Sequence, residues 1–334
     1  MDLERLPARP CAPPFPVYPD LVDALARAHR GGAVDRDATV AHVLATVAGY
    51  SYAGSETFAT MISRLGLEAG ACVRISQVVE AMFVYSTAYL VQSRCGRVVI
   101  LSYRGTEPTA LGNWLGDADV GSDSSLLSVA EGVLSPRVHA GFYFNVRATW
   151  LGVVEELTRA IAGRSLLDPS QAVEHPLESL YVTGHSLGGA MALLFALAAA
   201  GCGRHAAITE RLRAVYTFGQ PMAVCAPVPS WVDEVGLKVV RHVRPRDPVP
   251  ALPPAQWGPF VHVGQEFRFD GGVWRRSATP VEALVRTKDV AQSMLALLAP
   301  QRQRRSYRYS VAEHRPQHYI EDLRPRGRVT ELGD

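Results

Sequence analysis

Ser186 lies in Gly184-His185-Ser186-Leu187-Gly188, and a serine with glycines two positions away on each side can attack a carbonyl carbon. The pattern is common by itself, but its setting is not. Ser179–Thr183 (SLYVT) reads as a buried strand leading straight into it, and AMALLFALAAA beyond it reads as an apolar helix. A serine on such a strand-to-helix turn must take a strained backbone conformation, and the glycines leave room where a side chain would collide. The turn presents the hydroxyl above the sheet edge. The helix N-terminus aims unpaired N–H groups at negative charge developing there.

A hydroxyl is a weak nucleophile at neutral pH without a base, and the base needs an acid to orient it. In doubly wound sheets that carry this turn the chain order is serine, carboxylate, histidine. Asp247 follows the strand-like run Leu237–Val243, just past the carboxyl end of a strand, where such folds place their sites. It is preferred over Asp233, Glu234 and Asp289, which fall on helical stretches. His242 and His262 sit inside strand-like runs and read as packed histidines. His314, in a loop before a proline, and His318, opening a final helix, stand level as the base on chemistry alone.

Positioning these groups requires a sheet. Val40, Val43, Leu44 and Val47 recur at helical spacing within Asp35–Tyr50, with Asp37 placed to cap that helix. Ser86–Gln92 and Arg97–Tyr103 read as a hairpin whose second arm is continuously apolar, as a buried central strand is. Gly105–Pro136 is rich in Gly, Pro, Ser and Asp and reads as a surface excursion with one short helix, the kind of segment that forms active-site lids. Val146, Trp150, Val153, Leu157 and Ile161 mark an amphipathic helix. Further strands are expected at Ala214–Phe218, Leu237–Val243 and Phe260–Phe269, the last ending in a tight turn at Asp270-Gly271-Gly272. This alternation predicts an α/β fold, a mainly parallel sheet with helices on both faces.

The chain has 334 residues, 48% hydrophobic and 20% charged, with a formal net charge of +2. That balance excludes a disordered chain and supplies no broad positive field, so nucleic acid is not an expected partner. The apolar run Ser186–Gly203 is interrupted by glycines at both ends and is too short for a span, and Ala214–Val232 is broken by prolines, so no transmembrane segment is expected. Five cysteines without CxxC or Cys/His spacing argue against a disulfide framework or a zinc site. With no apolar leader in MDLERLPARPCAPPFPVYPD, the expectation is a cytoplasmic protein.

Six motifs bring a resemblance. Tyr103–Glu107 (YRGTE), Asn113–Ala118 (NWLGDA), Val138–Tyr143 (VHAGFY), Thr183–Ala190 (TGHSLGGA), Thr217–Pro221 (TFGQP) and Arg246–Pro250 (RDPVP) follow one another in the order found in class 3, fungal-type triacylglycerol lipases. The chain resembles that family over about residues 40 to 320, and the resemblance implies the α/β-hydrolase fold with a short helical lid. It implies Ser186 as nucleophile, Asp247 as acid and His314 as base, since Glu313-His314 with Tyr319 five positions on matches the family's spacing. It also implies an oxyanion hole from Thr106 and the N–H of Leu187, and a lid whose apolar face is Leu111, Trp114 and Leu115. Met222-Ala223-Val224 departs from the Arg-Val-Gly usual after the Gly-x-Pro segment.

The expectation is therefore a serine carboxylic-ester hydrolase acting on acylglycerols or related lipid esters at a lipid–water interface, with no metal and no organic cofactor. Phospholipase A1 or a short-chain carboxylesterase is the alternative; a non-catalytic lipid-binding protein of the same fold is more remote. Residues 1–35 read as an N-terminal extension, and 36–325 as one hydrolase domain with its lid region at about 107–136. Oligomeric state is not legible.

Overall fold

The computed structural model describes residues 1–27, 38–67, 70–80, 84–106, 124–127, 129, 131–284 and 309–334. The strands in chain order are β1 (Asp2–Pro7), β2 (Ala71–Val79), β3 (Val84–Gln92), β4 (Val98–Tyr103), β5 (Ser124–Leu126), β6 (Arg137–His139), β7 (Ser179–His185), β8 (Leu212–Phe218), β9 (Val224–Cys225), β10 (Val239–Val243), β11 (Phe260–Val261), β12 (Gln265–Asp270) and β13 (Val273–Arg276). The helices are α1 (Leu21–Arg27), α2 (Ala38–Tyr50), α3 (Ser55–Ile62), α4 (Ala140–Ile161), α5 (Leu187–Ala200), α6 (Ala206–Arg211), α7 (Trp231–Glu234) and α8 (Pro316–Leu323).

Nine strands form one sheet in the order β1-β2-β3-β4-β7-β8-β10-β12-β13. Its centre, β4-β7-β8-β10-β12, is parallel. Both edges are antiparallel. A central parallel strand must be apolar on both faces because helices cover both, and β4 is: Val99 and Leu101 pack against α4 and α5, whereas Val98 and Ile100 pack against α1 and α2 on the other side. This is the α/β-hydrolase arrangement.

The expected strands and helices at 86–103, 146–161, 179–200 and 214–218 are present, the last strand beginning at Leu212. The expected strand over Phe260–Phe269 is two: β11 joins a small four-stranded sheet with β9, β6 and β5, and β12 joins the large one. The excursion over Gly105–Pro136 contributes β5 to that small sheet; residues 107–123 lie outside the described residues, as do Asp37 and Asp289.

Residues 1–27 do not stand apart from the sheet. β1 pairs along its length with β2, and Arg5 grips Glu156 of α4 at 2.9 and 2.5 Å. The Glu156 carboxylate is fully buried, and a buried carboxylate holds its place only when paired. Sequence reading missed this because β1 is short, arginine-bearing and followed by prolines. α5 is buried all round, which explains its unbroken apolar sequence. Among the described residues no single helix is long and apolar enough to cross a membrane.

Candidate active site

The carboxyl ends of four neighbouring parallel strands converge on one edge. Ser186 follows β7 directly, Gly219 follows β8, Asp247 lies four residues past β10, and Gly105-Thr106 follows β4. Ser186 takes φ 59° and ψ −131° and is the only non-glycine residue with positive φ among the described residues. Such a conformation costs on the order of 1–3 kcal/mol, so the surrounding packing must enforce it. A Cβ on Gly184 would sit 2.2 Å from the carbonyl oxygen of Gly188, which is why the strand can meet the helix so tightly only with glycine there. The Ser186 N–H donates to the Phe218 carbonyl at 2.9 Å, pinning the turn to the next strand.

His314 arrives from the other end of the chain, in the turn Val311–His314 before α8. Two contacts hold that turn beside Asp247. The Ser310 N–H donates to the Arg246 carbonyl at 2.9 Å, and the Arg244 guanidinium pairs with Glu313 at 2.7 Å. His314 Nδ1 then lies 2.8 Å from Asp247 Oδ2. A carboxylate only accepts, so Nδ1 carries the proton and Nε2 keeps its lone pair. Asp247 accepts two more bonds, from the Tyr319 hydroxyl at 2.6 Å to Oδ2 and from the Val249 N–H at 2.9 Å to Oδ1. Burial, then the Asp247 charge, push the Tyr319 hydroxyl well above its ordinary value of 10.0, so it stays a donor.

Ser186 Oγ and His314 Nε2 are both buried, and neither has a hydrogen-bond partner among the described residues. An unspent buried polar atom costs about 1–3 kcal/mol, so a site that leaves a hydroxyl and an imidazole lone pair unspent retains them at the expense of stability. Leu187 is the first residue of α5, and its N–H is among the first-turn donors with no intrahelical acceptor. Gly105 rests against the same turn: a Cβ there would lie 3.2 Å from Ser186 Cβ, which sets the half-buried Thr106 beside it.

Of the sequence candidates, Ser186, Asp247, His314, Thr106 and Leu187 come together here. His318 does not: on α8 it is partly exposed and faces Glu321 at 3.7 Å. Asp233 and Glu234 lie on α7. His242 stacks among Phe218, Phe267 and Tyr216, and His262 Nε2 donates to the Pro250 carbonyl at 2.8 Å. Leu111, Trp114 and Leu115 lie outside the described residues. Among the described residues no group of three or more His, Cys, Asp or Glu is placed to hold a metal ion.

Two contributors escaped sequence reading. Tyr319 entered only as a spacing marker, and its bond to Asp247 was not foreseen. Gly219 takes φ 59°, and a Cβ on it would lie 2.7 Å from Asp247 Oδ2 and 2.9 Å from His314 Nδ1. Its signal was present in TFGQP, but only the convergence of β8 and β10 says what the missing side chain makes room for.

Residues 100–257 match the sequence model of the family Lipase (class 3). This segment belongs to the class 3 lipases. A lipase of Rhizomucor miehei is 30% identical over 212 residues, 63% of this chain and 51% of that protein. The chain thus spans about half the length of that relative. The lipase of Rhizopus microsporus var. chinensis is similar in structure, with TM-score 0.56 at 21% identity, over 84% of this chain and 87% of that one; at that identity the likeness concerns the α/β-hydrolase fold.

The relatives of the class 3 segment correct one expectation. A Penicillium cyclopium relative, 26% identical over 205 residues, 61% of this chain and 56% of that protein, is named secreted mono- and diacylglycerol lipase A. The cytoplasmic placement does not stand. It leaned on the missing apolar leader, and the free thiols do not restore it: all five cysteines are free, with Cys72, Cys202 and Cys225 buried. A buried thiol packs as a small apolar group, which reports the absence of cross-links and not the compartment.

Proposed function

We propose that the chain is a serine carboxylic-ester hydrolase of lipid esters, acting outside the cell by two-step acyl transfer. Ser186 attacks the ester carbonyl as His314 Nε2 takes its proton, forming a tetrahedral oxyanion held by the N–H groups of Thr106 and Leu187. His314 returns the proton to the departing alcohol. Water, deprotonated by the same nitrogen, attacks the acyl-serine and releases the fatty acid. Asp247 orients the imidazole and stabilises its cation. The observation that supports this reading is the buried His314–Asp247 hydrogen bond beside a serine held at positive φ. No step calls on a metal or an organic cofactor.

The substrate class follows from the relatives, which are named lipases and mono- and diacylglycerol lipases. Residues 36–325 form the hydrolase domain in this reading, with 107–136 as a lid that presents Leu111, Trp114 and Leu115 to an aggregated lipid. Ser186→Ala is expected to abolish both fatty-acid release and labelling by a fluorophosphonate; retained activity rejects the assignment. A panel of p-nitrophenyl esters from short to long chains, with triacylglycerol and phosphatidylcholine, separates lipase from short-chain esterase and phospholipase A1.

A further inference from the structure

We propose that Tyr52 and His185 act as a positioning pair that keeps the base, the nucleophile turn and the oxyanion loop in register, an inference that rests on the roles given above to Ser186, His314 and Thr106. Nε2 of His185 lies 2.7 Å from the backbone carbonyl oxygen of His314. A carbonyl only accepts, so Nε2 carries the proton and Nδ1 is left as an acceptor. The Tyr52 hydroxyl lies 2.9 Å from that Nδ1 and donates to it. One rigid ring is thereby bonded at both ends, and its tautomer is fixed.

The consequence for His314 is a second anchor of a different kind. Asp247 holds the His314 ring through Nδ1, which sets the direction in which Nε2 points. His185 holds the backbone from which that ring hangs. The two rings also lie against each other, with centroids 4.5 Å apart. Because His185 directly precedes Ser186, the bond ties nucleophile and base together across 129 residues of chain.

The oxyanion loop joins through Tyr52. A Cβ on Gly105 would lie 2.1 Å from the Tyr52 hydroxyl oxygen and 2.5 Å from the His185 carbonyl. The loop that carries Thr106 therefore rests directly on the pair. Arg104, one residue earlier, has its guanidinium 5.9 Å from the Tyr52 ring centre. An imidazole suits the position because it offers a donor and an acceptor on opposite sides of a flat ring. It must also stay neutral beside a histidine that becomes cationic during each half-reaction. Burial, then the His314 charge, hold His185 well below its ordinary 6.5.

The test uses the full chain, steady-state hydrolysis of a soluble p-nitrophenyl ester, and thermal melting. Tyr52→Phe removes one oxygen and keeps the ring. It is expected to lower kcat by about tenfold, the scale of one buried hydrogen bond lost at the transition state, with KM nearly unchanged; the unpaired His185 Nδ1 lowers the melting temperature by roughly a few degrees, which leaves the enzyme folded at an assay temperature well below the melt. His185→Gln, which retains a donor and an acceptor, is expected to keep more kcat than His185→Leu, which retains neither. If Tyr52→Phe keeps kcat within about twofold of wild type, the pair has no positioning role. The same conclusion follows if His185→Gln and His185→Leu lose activity equally and only in step with lost melting temperature. Labelling of the wild type by a fluorophosphonate, absent in Ser186→Ala, runs alongside. Normal labelling with an unaffected Tyr52→Phe sinks the pair and leaves the triad standing, whereas an unlabelled wild type sinks both.

Discussion

Asp247 spends both of its carboxylate oxygens on three donors: His314 Nδ1 and the Tyr319 hydroxyl on Oδ2, and the Val249 N–H on Oδ1. The donors are unequal in what they do. The Val249 and Tyr319 bonds fix the carboxylate, while the His314 bond selects the tautomer that leaves Nε2 basic. Asp247→Asn keeps the shape but can present an N–H to Nδ1, which favours the wrong tautomer. The expected result is a fall in kcat of roughly 10³–10⁴-fold with KM little changed, measured on a soluble ester. Tyr319→Phe leaves the tautomer alone and is expected to cost only about tenfold in kcat, the worth of one supporting bond. Equal losses in the two variants would mean that Asp247 acts only as a structural anchor. The sequence identified Asp247 and His314 as residue types in suitable places, but the difference between His314 and His318 is one of direction, and direction is a property of the turn before α8.

At the scale of elements, two histidines outside the site carry a pH signature. His42 lies in α2 with the Tyr18 hydroxyl 2.8 Å from its Nδ1, and burial, then the Arg324 charge, lower it to about 4. His242 of β10 stacks on Phe218 and meets the edge of Trp274, and burial lowers it to about 3. In the unfolded chain both ionise near 6.5. Between 6.5 and those folded-state values the unfolded chain binds more protons, so stability is fully present above about pH 6.5 and falls as the pH drops. The loss is roughly 2 kcal/mol per histidine by pH 5. The urea midpoint is expected to fall between pH 7 and pH 5, and His242→Phe, which suits an aromatic stack, is expected to flatten that slope. An unchanged slope in His242→Phe would show that the ring is not held neutral. Strand and helix types were readable because β4 and α5 are apolar in ways only a covered sheet and a buried helix explain. The split of Phe260–Phe269 between two sheets was not readable, because Val261, Val263, Phe267 and Phe269 keep one alternation across the break, and only the partners β9 and β10 separate β11 from β12.

For the whole molecule, the α/β-hydrolase sheet has its candidate active edge where β4, β7, β8 and β10 end, and the class 3 match at residues 100–257 covers the ends of those four strands. The lid proposed for residues 107–136 has a measurable consequence. If Leu111, Trp114 and Leu115 cover the site and partition into lipid, activity rises more steeply above the aggregation threshold of the substrate than below it. Replacing all three by serine is expected to remove that break while sparing hydrolysis of a soluble ester. A wild-type curve without a break removes the lid from the account. The N-terminal residues teach the opposite lesson about scale. They read locally as a polar, proline-rich extension, yet Arg5 of β1 shares with Arg159 the pairing of a carboxylate buried on α4.

What the sequence determined by itself was the chemistry that is contiguous in the chain. Strand, tight turn and helix around Ser186 occupy neighbouring positions, so their sterics are written in Gly184, Gly188 and the apolar runs on either side. The order of serine, carboxylate and histidine, and the α/β class, followed from the same local patterns. The tertiary structure decided everything that depends on chain ends meeting across the sheet. It set His314, already favoured over His318 by the family spacing of Tyr319, against Asp247, gave Tyr319 and Gly219 their contacts, and set the His185 ring between Tyr52 and the His314 backbone. The physical reason is that a hydrogen bond is specified by a distance and an angle. Between residues such as Asp247 and His314, far apart in sequence, those are fixed only once strand order and helix packing have placed both backbones.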